Sequence, residues 1–304
     1  MKALITGSSG FCGQHLSRYL REQGVEVFTL APRPGGKSHY QIKGVNDLAG
    51  MLEVFQSVKP DFVFHLAGMV GAENPTLIYQ VNLLYGLGLL HAMDLAGQKY
   101  TPVLLTGTAA EYGLVGEDDL PVSEDFYCAP YNHYGSSKLA QTLAGLVTAK
   151  QGPPVVITRA FNIIGPGMPD HLVLTTIAKQ VQQIVKHNCD PLLTLGNVLT
   201  SRDLIDIRDV LPIYWKLIRN PAAYGEIVNV CTGRPTAIQD ALRKMISLSG
   251  KEIEVVSKPE RFRAYDPMVS YGSTEKLRRL VGYVPKLNLE ESLKLILNHI
   301  AAET

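Results

Sequence analysis

The sequence predicts an α/β protein built on a doubly wound parallel sheet of the Rossmann type, with a smaller, discontinuous α/β substrate domain. Short runs rich in Val, Ile, Leu and Phe alternate with longer segments of helical spacing. A glycine-rich turn directly follows the first of these runs. After residue 159 the alternation is broken by the rigid segment 165–169, which indicates the start of a second domain.

The elements of the large sheet follow in order along the chain. Continuous apolar runs predict buried strands, and the segments between them are long enough for right-handed helical crossovers. The predicted strands are 2–6, 26–30, 61–67, 103–106 and 155–159, and the predicted helices are 12–23, 48–58, 76–96 and 134–151.

The remainder of the chain predicts the second domain. A helix near 172–186 is followed by a short strand, and the apolar runs 204–207 and 227–230 are interpreted as strands that return to the first sheet. The tail is predicted to be helical, because its apolar residues are spaced three and four apart. The predicted division is 1–161 plus 203–232 for the first domain and 162–202 plus 233–304 for the second.

Composition and charge restrict the class of protein. The 304 residues, 46% of them hydrophobic and 19% charged, are typical of one large or two modest globular domains. With a net charge of +1, the protein has no overall positive potential that would attract nucleic acid or an anionic membrane. No apolar run is long enough to span a bilayer and no secretory signal is evident, so we expect a cytoplasmic protein. The spacing of the cysteines and histidines predicts no metal site.

A Gly-x-x-Gly-x-x-Gly turn connects the first predicted strand to the first predicted helix. Such glycines allow a tight turn and close approach of the backbone to a pyrophosphate, while the helix N-terminus offers N–H groups to the anion. The spacing alone is a weak signal in a chain with 27 glycines, but its position in a strand–turn–helix unit makes it specific. The predicted cofactor-binding residues here are Gly7, Ser9, Gly10, Phe11, Cys12 and Gly13.

The end of the second strand predicts which dinucleotide is bound. NAD-selective sites usually place an acid there for the ribose hydroxyls, but this strand ends Leu30-Ala31-Pro32-Arg33. Arg33 is available to a 2′-phosphate, which favours NADP(H), and the alternative is a solvated loop arginine. Further cofactor contacts are predicted at Asp47 and Leu48, near the adenine, and at Leu66, Ala67 and Gly68, after the third strand.

Tyr134 and Lys138 are a candidate acid–base pair, because residues four apart share one face of a helix. A nearby cation favours the phenolate and brings the pKa of a tyrosine toward the working range. Thr108, at the end of the preceding strand, offers a hydroxyl to a substrate oxygen beside Tyr134. Tyr131 is the competing candidate for the catalytic tyrosine.

These motifs resemble those of the extended short-chain dehydrogenases/reductases that act on nucleotide sugars. The resemblance covers nearly the whole chain and includes the glycine turn, residues 65–67, Asn82, Thr108, Tyr134 with Lys138, and residues 159–167. It implies that Tyr134 transfers the proton, that Lys138 binds the nicotinamide ribose and lowers the pKa of Tyr134, and that Thr108 orients the substrate.

The resemblance is greatest to the members that reduce GDP-linked 4-keto-6-deoxy-mannose, which implies NADPH-dependent reduction of a C4 ketone in a nucleotide-diphosphate sugar. Arg202 and Arg263 are predicted to clamp the diphosphate as bidentate donors, with surface ion pairs as the alternative. Asn162 contacts the sugar or the nicotinamide, or caps a turn. The predicted substrate-binding residues are Thr108, Ala109, Glu111, Asn162, Arg202, Arg263 and Asp266, the last in a place where the family often has Glu.

Other activities of the same scaffold are alternatives. A 4-epimerase uses the same three catalytic residues, and a non-catalytic dinucleotide-binding module needs none of them. Dehydratases of the family carry acids where this chain has Ala109 and Ala110, and Glu111 is expected to point away from both alanines if the segment is extended. Family members commonly form dimers, so we expect a homodimer through the helices 76–96 and 134–151, the first of which is apolar nearly all round.

Overall fold

The structure is a computed structural model that describes residues 1–187, 190–258, 260, 266–283, 285–286 and 288–303. The strands are β1 Lys2–Thr6, β2 Glu26–Ala31, β3 His39–Gln41, β4 Phe62–His65, β5 Val103–Thr108, β6 Val155–Ala160, β7 Asn162–Ile164, β8 Leu192–Leu195, β9 Ser201–Asp206, β10 Ile227–Val230, β11 Pro235–Ala237, β12 Glu254–Ser257 and β13 Val269–Ser270. The α-helices are α1 Phe11–Glu22, α2 Leu48–Val58, α3 Pro75–Tyr79, α4 Tyr85–Leu95, α5 His133–Lys150, α6 Val173–His187, α7 Ile207–Ile218, α8 Ile238–Ser249, α9 Glu275–Val281 and α10 Leu289–Glu303.

A seven-stranded parallel sheet in the order β10-β6-β5-β4-β1-β2-β3 forms the larger part of the molecule. In chain order, β1 lies inside the sheet, and β2 and β3 extend it to one edge. The chain then returns to the other side of β1, where β4, β5, β6 and β10 extend the sheet to the opposite edge. This reversal creates a crevice at the carboxyl ends of β1 and β4, where doubly wound sheets bind their ligands. The predicted fold class is therefore confirmed.

Two apolar cores cover the two faces of this sheet. Leu16 and Leu20 of α1 pack with Trp215 of α7 on one face, and Met51 and Phe55 of α2 pack with residues of α4 on the other. Burial on both faces explains why the strands appear as continuous apolar runs rather than as alternating ones. No helix among the described residues is long and apolar enough to cross a membrane.

The smaller part of the molecule has its own sheet, in which β9 pairs with β7, β11 and β13. A third core joins α6, α8 and α10 to this region, and β8 pairs with β12 nearby. The prediction that the run 204–207 returns to the large sheet is wrong, because β9 lies in the smaller one. The run 227–230 does return, as β10. The remaining boundaries of the predicted domains stay a prediction.

The carboxylate of Asp203 joins the smaller sheet to the end of β10. Its Oδ1 accepts hydrogen bonds from the backbone N and the hydroxyl of Thr232, both at 2.7 Å, and its Oδ2 accepts from Gly233 N at 2.9 Å and Gly272 N at 3.4 Å. Asp203 is fully buried. Four donors on one carboxylate satisfy a charge that would otherwise be costly to bury.

We expect Asp203→Asn to lower the free energy of unfolding by about 2–3 kcal/mol, because the amide nitrogen would face an N–H donor where an acceptor is needed. Chemical denaturation checks this. Asp240→Asn is the matched control, since Asp240 is exposed and its ion pair with Arg243 is long, at 3.6 Å. Equal stabilities of the two variants would contradict the assigned role.

Candidate active site

The turn between β1 and α1 has a backbone that requires its glycines. Gly7 has φ +68°, and a Cβ there would lie 2.6 Å from Ala67 N. A Cβ at Gly13 would lie 2.2 Å from Gly7 O, so the helix can follow the turn this closely only with glycine at that position. Gly10 is the N-cap of α1 and has no side chain to cap the helix, which leaves its first N–H groups available to an anion.

Cys12, in the first turn of α1, remains a neutral thiol. Burial raises its pKa to about 12, so it adds no negative charge to the anion-binding end of the helix. Phe11 packs between two of the apolar cores and makes an edge contact with the ring of His15, at 5.3 Å between centroids. Phe11 and Cys12 thus help to shape the turn, and their contact with a cofactor stays a prediction.

The backbone of Leu66 and Ala67 lies beside this turn, and the contact of residues 66–68 with a cofactor stays a prediction. Ala67 N donates to the Thr6 hydroxyl at 3.3 Å, which joins the ends of β4 and β1. A Cβ at Gly68 would lie 3.4 Å from the Lys138 Nζ. The backbone after β4 thus brings the glycine turn and the predicted catalytic lysine to the same crevice.

Arg33 lies exposed in the loop between β2 and β3. Asp47 is the N-cap of α2, where its two oxygens accept from Gly50 N at 3.0 Å and Lys43 N at 2.8 Å. These bonds hold the pKa of Asp47 below its usual range. Leu48 begins α2 and packs on the core beneath it. The contact of Asp47 and Leu48 with adenine stays a prediction, and the structure adds a capping role for Asp47.

Tyr134 lies in the first turn of α5 and is half-buried. A Cβ at Gly135 would lie 2.5 Å from Ala110 O, so this glycine lets α5 approach the segment that follows β5. The approach brings the hydroxyl of Thr108 near the phenol of Tyr134, whose pKa it lowers in part. Tyr131 precedes the Asn132 N-cap and is exposed, so it does not share a helix face with Lys138.

Lys138 is buried behind this pair. Its Nζ donates to Thr106 O at 2.9 Å and, at 3.4 Å, to Ala67 O and to the Gln141 Oε1. Burial lowers the pKa of Lys138 to about 8, although the Glu111 carboxylate opposes the shift. The ammonium is thus held against the backbone at the carboxyl edge of the sheet.

The pKa of Tyr134 departs from the sequence-based expectation. Burial raises it, and the nearby hydroxyl of Thr108 only partly offsets that effect. The net pKa of Tyr134 is therefore not lowered as the sequence predicts, because desolvation of the phenolate dominates. A lowering contribution from Lys138 stays a prediction. At neutral pH the phenol is protonated and able to donate.

Asn82 was expected only as part of the motif, and the structure gives it a positioning role. It is buried in a π-helical turn, Gln80–Leu84, that interrupts the predicted helix 76–96 between α3 and α4. Its Oδ1 accepts from Met69 N at 2.7 Å, and its Nδ2 donates to the Ser137 hydroxyl at 2.9 Å. Ser137 donates in turn to Tyr134 O at 2.8 Å. The loop after β4 is thereby fixed to the first turns of α5.

The prediction that Glu111 binds substrate is wrong. Residues 109–111 form a 3₁₀ turn rather than an extended segment, which directs Glu111 into the protein, where it is fully buried. Its Oε2 accepts from Arg159 Nε and the Thr142 hydroxyl, both at 2.9 Å, and its Oε1 accepts from Thr108 N at 2.9 Å. Glu111 therefore positions the backbone of Thr108.

Arg202, one of the two arginines of the predicted diphosphate clamp, makes several contacts within the protein. Arg202 forms an ion pair with Asp266, and its Nη1 donates to Ser201 O at 2.9 Å and Pro267 O at 2.7 Å. The two predicted substrate residues thus pair with each other, and their contact with a substrate stays a prediction. Arg263 lies outside the described residues.

The two other predicted substrate residues lie nearer the crevice. Asn162 is exposed in β7, and its Nδ2 donates to Asp203 O at 3.2 Å. Ala109 is half-buried and packs on the cluster formed by Tyr112 and Phe161. Their contact with a substrate stays a prediction. Among the residues that the structure describes, no group of His, Cys, Asp and Glu could hold a metal ion.

The parallel sheet, the glycine turn and the Thr108, Tyr134 and Lys138 group at its carboxyl edge define an NAD(P)-dependent oxidoreductase of the extended short-chain dehydrogenase/reductase class. Residues 3–231 match the NAD dependent epimerase/dehydratase family, and the chain belongs to that family. The resemblance inferred from the sequence is thereby confirmed.

Two curated relatives and one solved structure illustrate the similarity. GDP-6-deoxy-D-mannose reductase of Pseudomonas aeruginosa is 32% identical over 98% of this chain and 96% of its own length. GDP-6-deoxy-D-talose 4-dehydrogenase of Aggregatibacter actinomycetemcomitans is 28% identical over 93% of this chain and 92% of its own. The structure of RMD from Pseudomonas aeruginosa complexed with NADPH has a TM-score of 0.89 and 28% identity, and covers 100% of this chain and 99% of that one.

We expect Glu111→Gln to lower the free energy of unfolding by about 3–5 kcal/mol, because it leaves Arg159 buried without its counter-ion. The double variant Glu111→Gln, Arg159→Met should recover part of this loss, since both charges are then removed. Glu226→Gln is the control, because its ion pair with Lys276 is partly exposed and should contribute less than about 1 kcal/mol. A double variant less stable than the single one would contradict the assignment.

Proposed function

We propose that this protein catalyses the NADPH-dependent reduction of the C4 ketone of a nucleotide-diphosphate 4-keto-6-deoxyhexose, with GDP-4-keto-6-deoxy-D-mannose as the favoured substrate. The observation that carries the proposal is the close approach of the end of β5, which bears Thr108, to the first turns of α5, which bear Tyr134 and Lys138. A Cβ at Gly135 would lie 2.5 Å from Ala110 O, and the Lys138 Nζ donates to Thr106 O at 2.9 Å. The similarity to GDP-6-deoxy-D-mannose reductase supports the choice of substrate.

The residues at the glycine turn fit a dinucleotide. The close approaches at Gly7 and Gly13 leave no room for a Cβ, and the uncapped N-terminus of α1 suits a pyrophosphate. NADPH supplies the hydride when it is bound. Lys138 would hold the nicotinamide ribose, as the family resemblance implies, and the NADPH in the structure of RMD supports the choice of cofactor.

The chain's own residues then supply proton transfer and orientation. Thr108 holds the ketone oxygen, and Tyr134 donates its phenolic proton to that oxygen as the C4 carbonyl becomes an alcohol. The raised pKa of Tyr134 keeps this proton in place at neutral pH before the reaction. Lys138, with a pKa of about 8, carries its charge under the same conditions and favours the phenolate that results.

The residues after β5 favour reduction over dehydration. Elimination of water needs an acid and a base, but Ala109 and Ala110 carry only methyl groups, and Glu111 is held by Arg159. A 4-epimerase would use the same three catalytic residues, and Arg33, as a partner for a 2′-phosphate, favours the reductase instead. The intact catalytic group and the family of enzymes to which the chain belongs argue against a non-catalytic module.

We expect Tyr134→Phe to lower kcat roughly a hundredfold while thermal stability and NADPH affinity stay close to wild type, because only the proton donor is lost. Consumption of NADPH with GDP-4-keto-6-deoxy-D-mannose measures this. Tyr131→Phe is the matched control and should retain wild-type turnover. Near-normal activity of Tyr134→Phe would refute its catalytic role.

Two further observations in the same assay test the reaction itself. Wild type should consume NADPH with the 4-keto substrate and should not form that substrate from GDP-mannose. NMR of the product distinguishes the 6-deoxy-D-mannose from the 6-deoxy-D-talose configuration, which differ at C4. Formation of a 4-keto sugar from GDP-mannose would instead identify a dehydratase.

We infer a homodimer from the outer face of α4 and α5. Leu87 of α4, with Leu84 just before it, and Leu143 and Val147 of α5 are exposed, and α4 and α5 pack side by side. Contiguous exposed leucines and valines on adjacent helices are typical of a surface that a second copy covers.

The variant Leu143→Glu, Val147→Glu should be monomeric by light scattering at micromolar concentration, because two buried carboxylates would disfavour the interface. Leu199→Glu, at a leucine that is 65% exposed elsewhere, is the control and should remain dimeric. A wild-type protein with the mass of a monomer would refute the dimer.

A further inference from the structure

The loop between β2 and β3 carries two exposed cations. Residues 32–38 contain Arg33 and Lys37 together with two prolines and two glycines. Such a sequence has little tendency to form regular structure, so contacts from outside must determine where Arg33 lies. The loop begins directly after the strand whose end faces the adenosine ribose in folds of this type.

His39, the first residue of β3, supplies such contacts from beneath the loop. Its Nδ1 lies 2.7 Å from the hydroxyl of Thr29, its register partner in β2, and its Nε2 lies 2.8 Å from Arg33 O. One neutral tautomer satisfies both contacts, with Nε2–H donating to Arg33 O and Nδ1 accepting from Thr29. The imidazole therefore bridges the strand and the backbone of the cation-bearing residue.

The rest of the loop folds over the same imidazole. A Cβ at Gly35 would lie 2.3 Å from the Cγ of His39, so only glycine allows the chain to lie against this ring. His39 N donates to Gly36 O at 3.2 Å, and Thr29 N donates to Ser38 O at 3.0 Å. Ser38 has φ +62°, a costly conformation for a residue with a side chain. The loop is thus wound around His39.

The bridge lies next to an open groove beside the glycine turn. Ser8 of the turn, Thr29 of β2 and Arg18 of α1 line this groove, which has a volume of about 560 Å³. Thr29 therefore contacts the groove and binds His39 at the same time. A group placed between the glycine turn and the end of β2 would meet the loop that His39 organises.

We propose that His39 is the positioning residue for recognition of the cofactor's 2′-phosphate, acting through Arg33. The inference rests on the proposed use of NADPH. His39 fixes the carbonyl of Arg33, and hence the point from which its guanidinium extends. Without the imidazole the loop has more conformations, and ordering Arg33 on a phosphate costs more entropy.

Calorimetric affinities for NADPH and NADH test this, with the ratio of the two dissociation constants as the readout. Wild type should prefer NADPH at least about tenfold, the effect of one charge-assisted contact. His39→Ala should reduce this preference at least threefold. His39→Gln should stay within twofold of wild type, because its amide can still donate to Arg33 O. In the Arg33→Ala background, His39→Ala should change the ratio less than twofold.

The outcomes separate this inference from the proposed function. Equal affinities of wild type for the two cofactors would overturn both. A clear NADPH preference that His39→Ala leaves intact would overturn the role of His39 alone. A proportional loss of affinity for both cofactors, or a fall in Tm with no rescue by Gln, would show a merely structural role and overturn it as well. His91→Ala, at an exposed histidine on α4, is the control.

Discussion

The geometry of the site depends on the buried ion pair between Glu111 and Arg159. The Arg159 guanidinium lies 4.6 Å from the centre of the Tyr112 ring and donates from Nη1 to Glu124 O at 3.2 Å. Glu111 in turn accepts from the backbone N of Thr108. One ion pair thereby fixes the end of β5, the turn after it and the loop that reaches Glu124. A buried ion pair contributes little more to the free energy of unfolding than apolar side chains of similar volume would. We therefore attribute the role of the Glu111–Arg159 pair to the single conformation that it specifies.

The same network continues into the smaller sheet. The Tyr112 hydroxyl donates to the Asn229 Oδ1 at 2.7 Å, and Asn229 N donates to the Glu124 Oε1 at 2.8 Å. Three residues further along the chain, Thr232 donates to Asp203. Polar contacts, together with the short stretch of backbone from Asn229 to Thr232, thus connect Thr108 to β9. Because buried polar groups must keep their partners, these contacts permit few alternative arrangements.

The sequence predicts what depends on local pattern and misses what depends on long-range pairing. Apolar runs locate the central strands, and the glycine turn and the Tyr134 and Lys138 pair can be found because their spacing reflects one turn and one helix. The run 204–207 is as apolar as its neighbours, and burial alone does not indicate which sheet it joins. Glu111 was misassigned because its partner Arg159 is 48 residues away, and nothing in the local pattern signals the 3₁₀ turn.

The pKa shifts at the site suit proton donation by Tyr134 at neutral pH. Burial raises the pKa of Tyr134 and lowers that of Lys138, since desolvation disfavours both the phenolate and the ammonium. A ketone reductase needs a phenol that holds its proton until the substrate oxygen becomes basic, and a raised pKa provides this. The desolvated pocket therefore favours proton donation by Tyr134, and Lys138 beside it limits the energetic cost of the phenolate left behind.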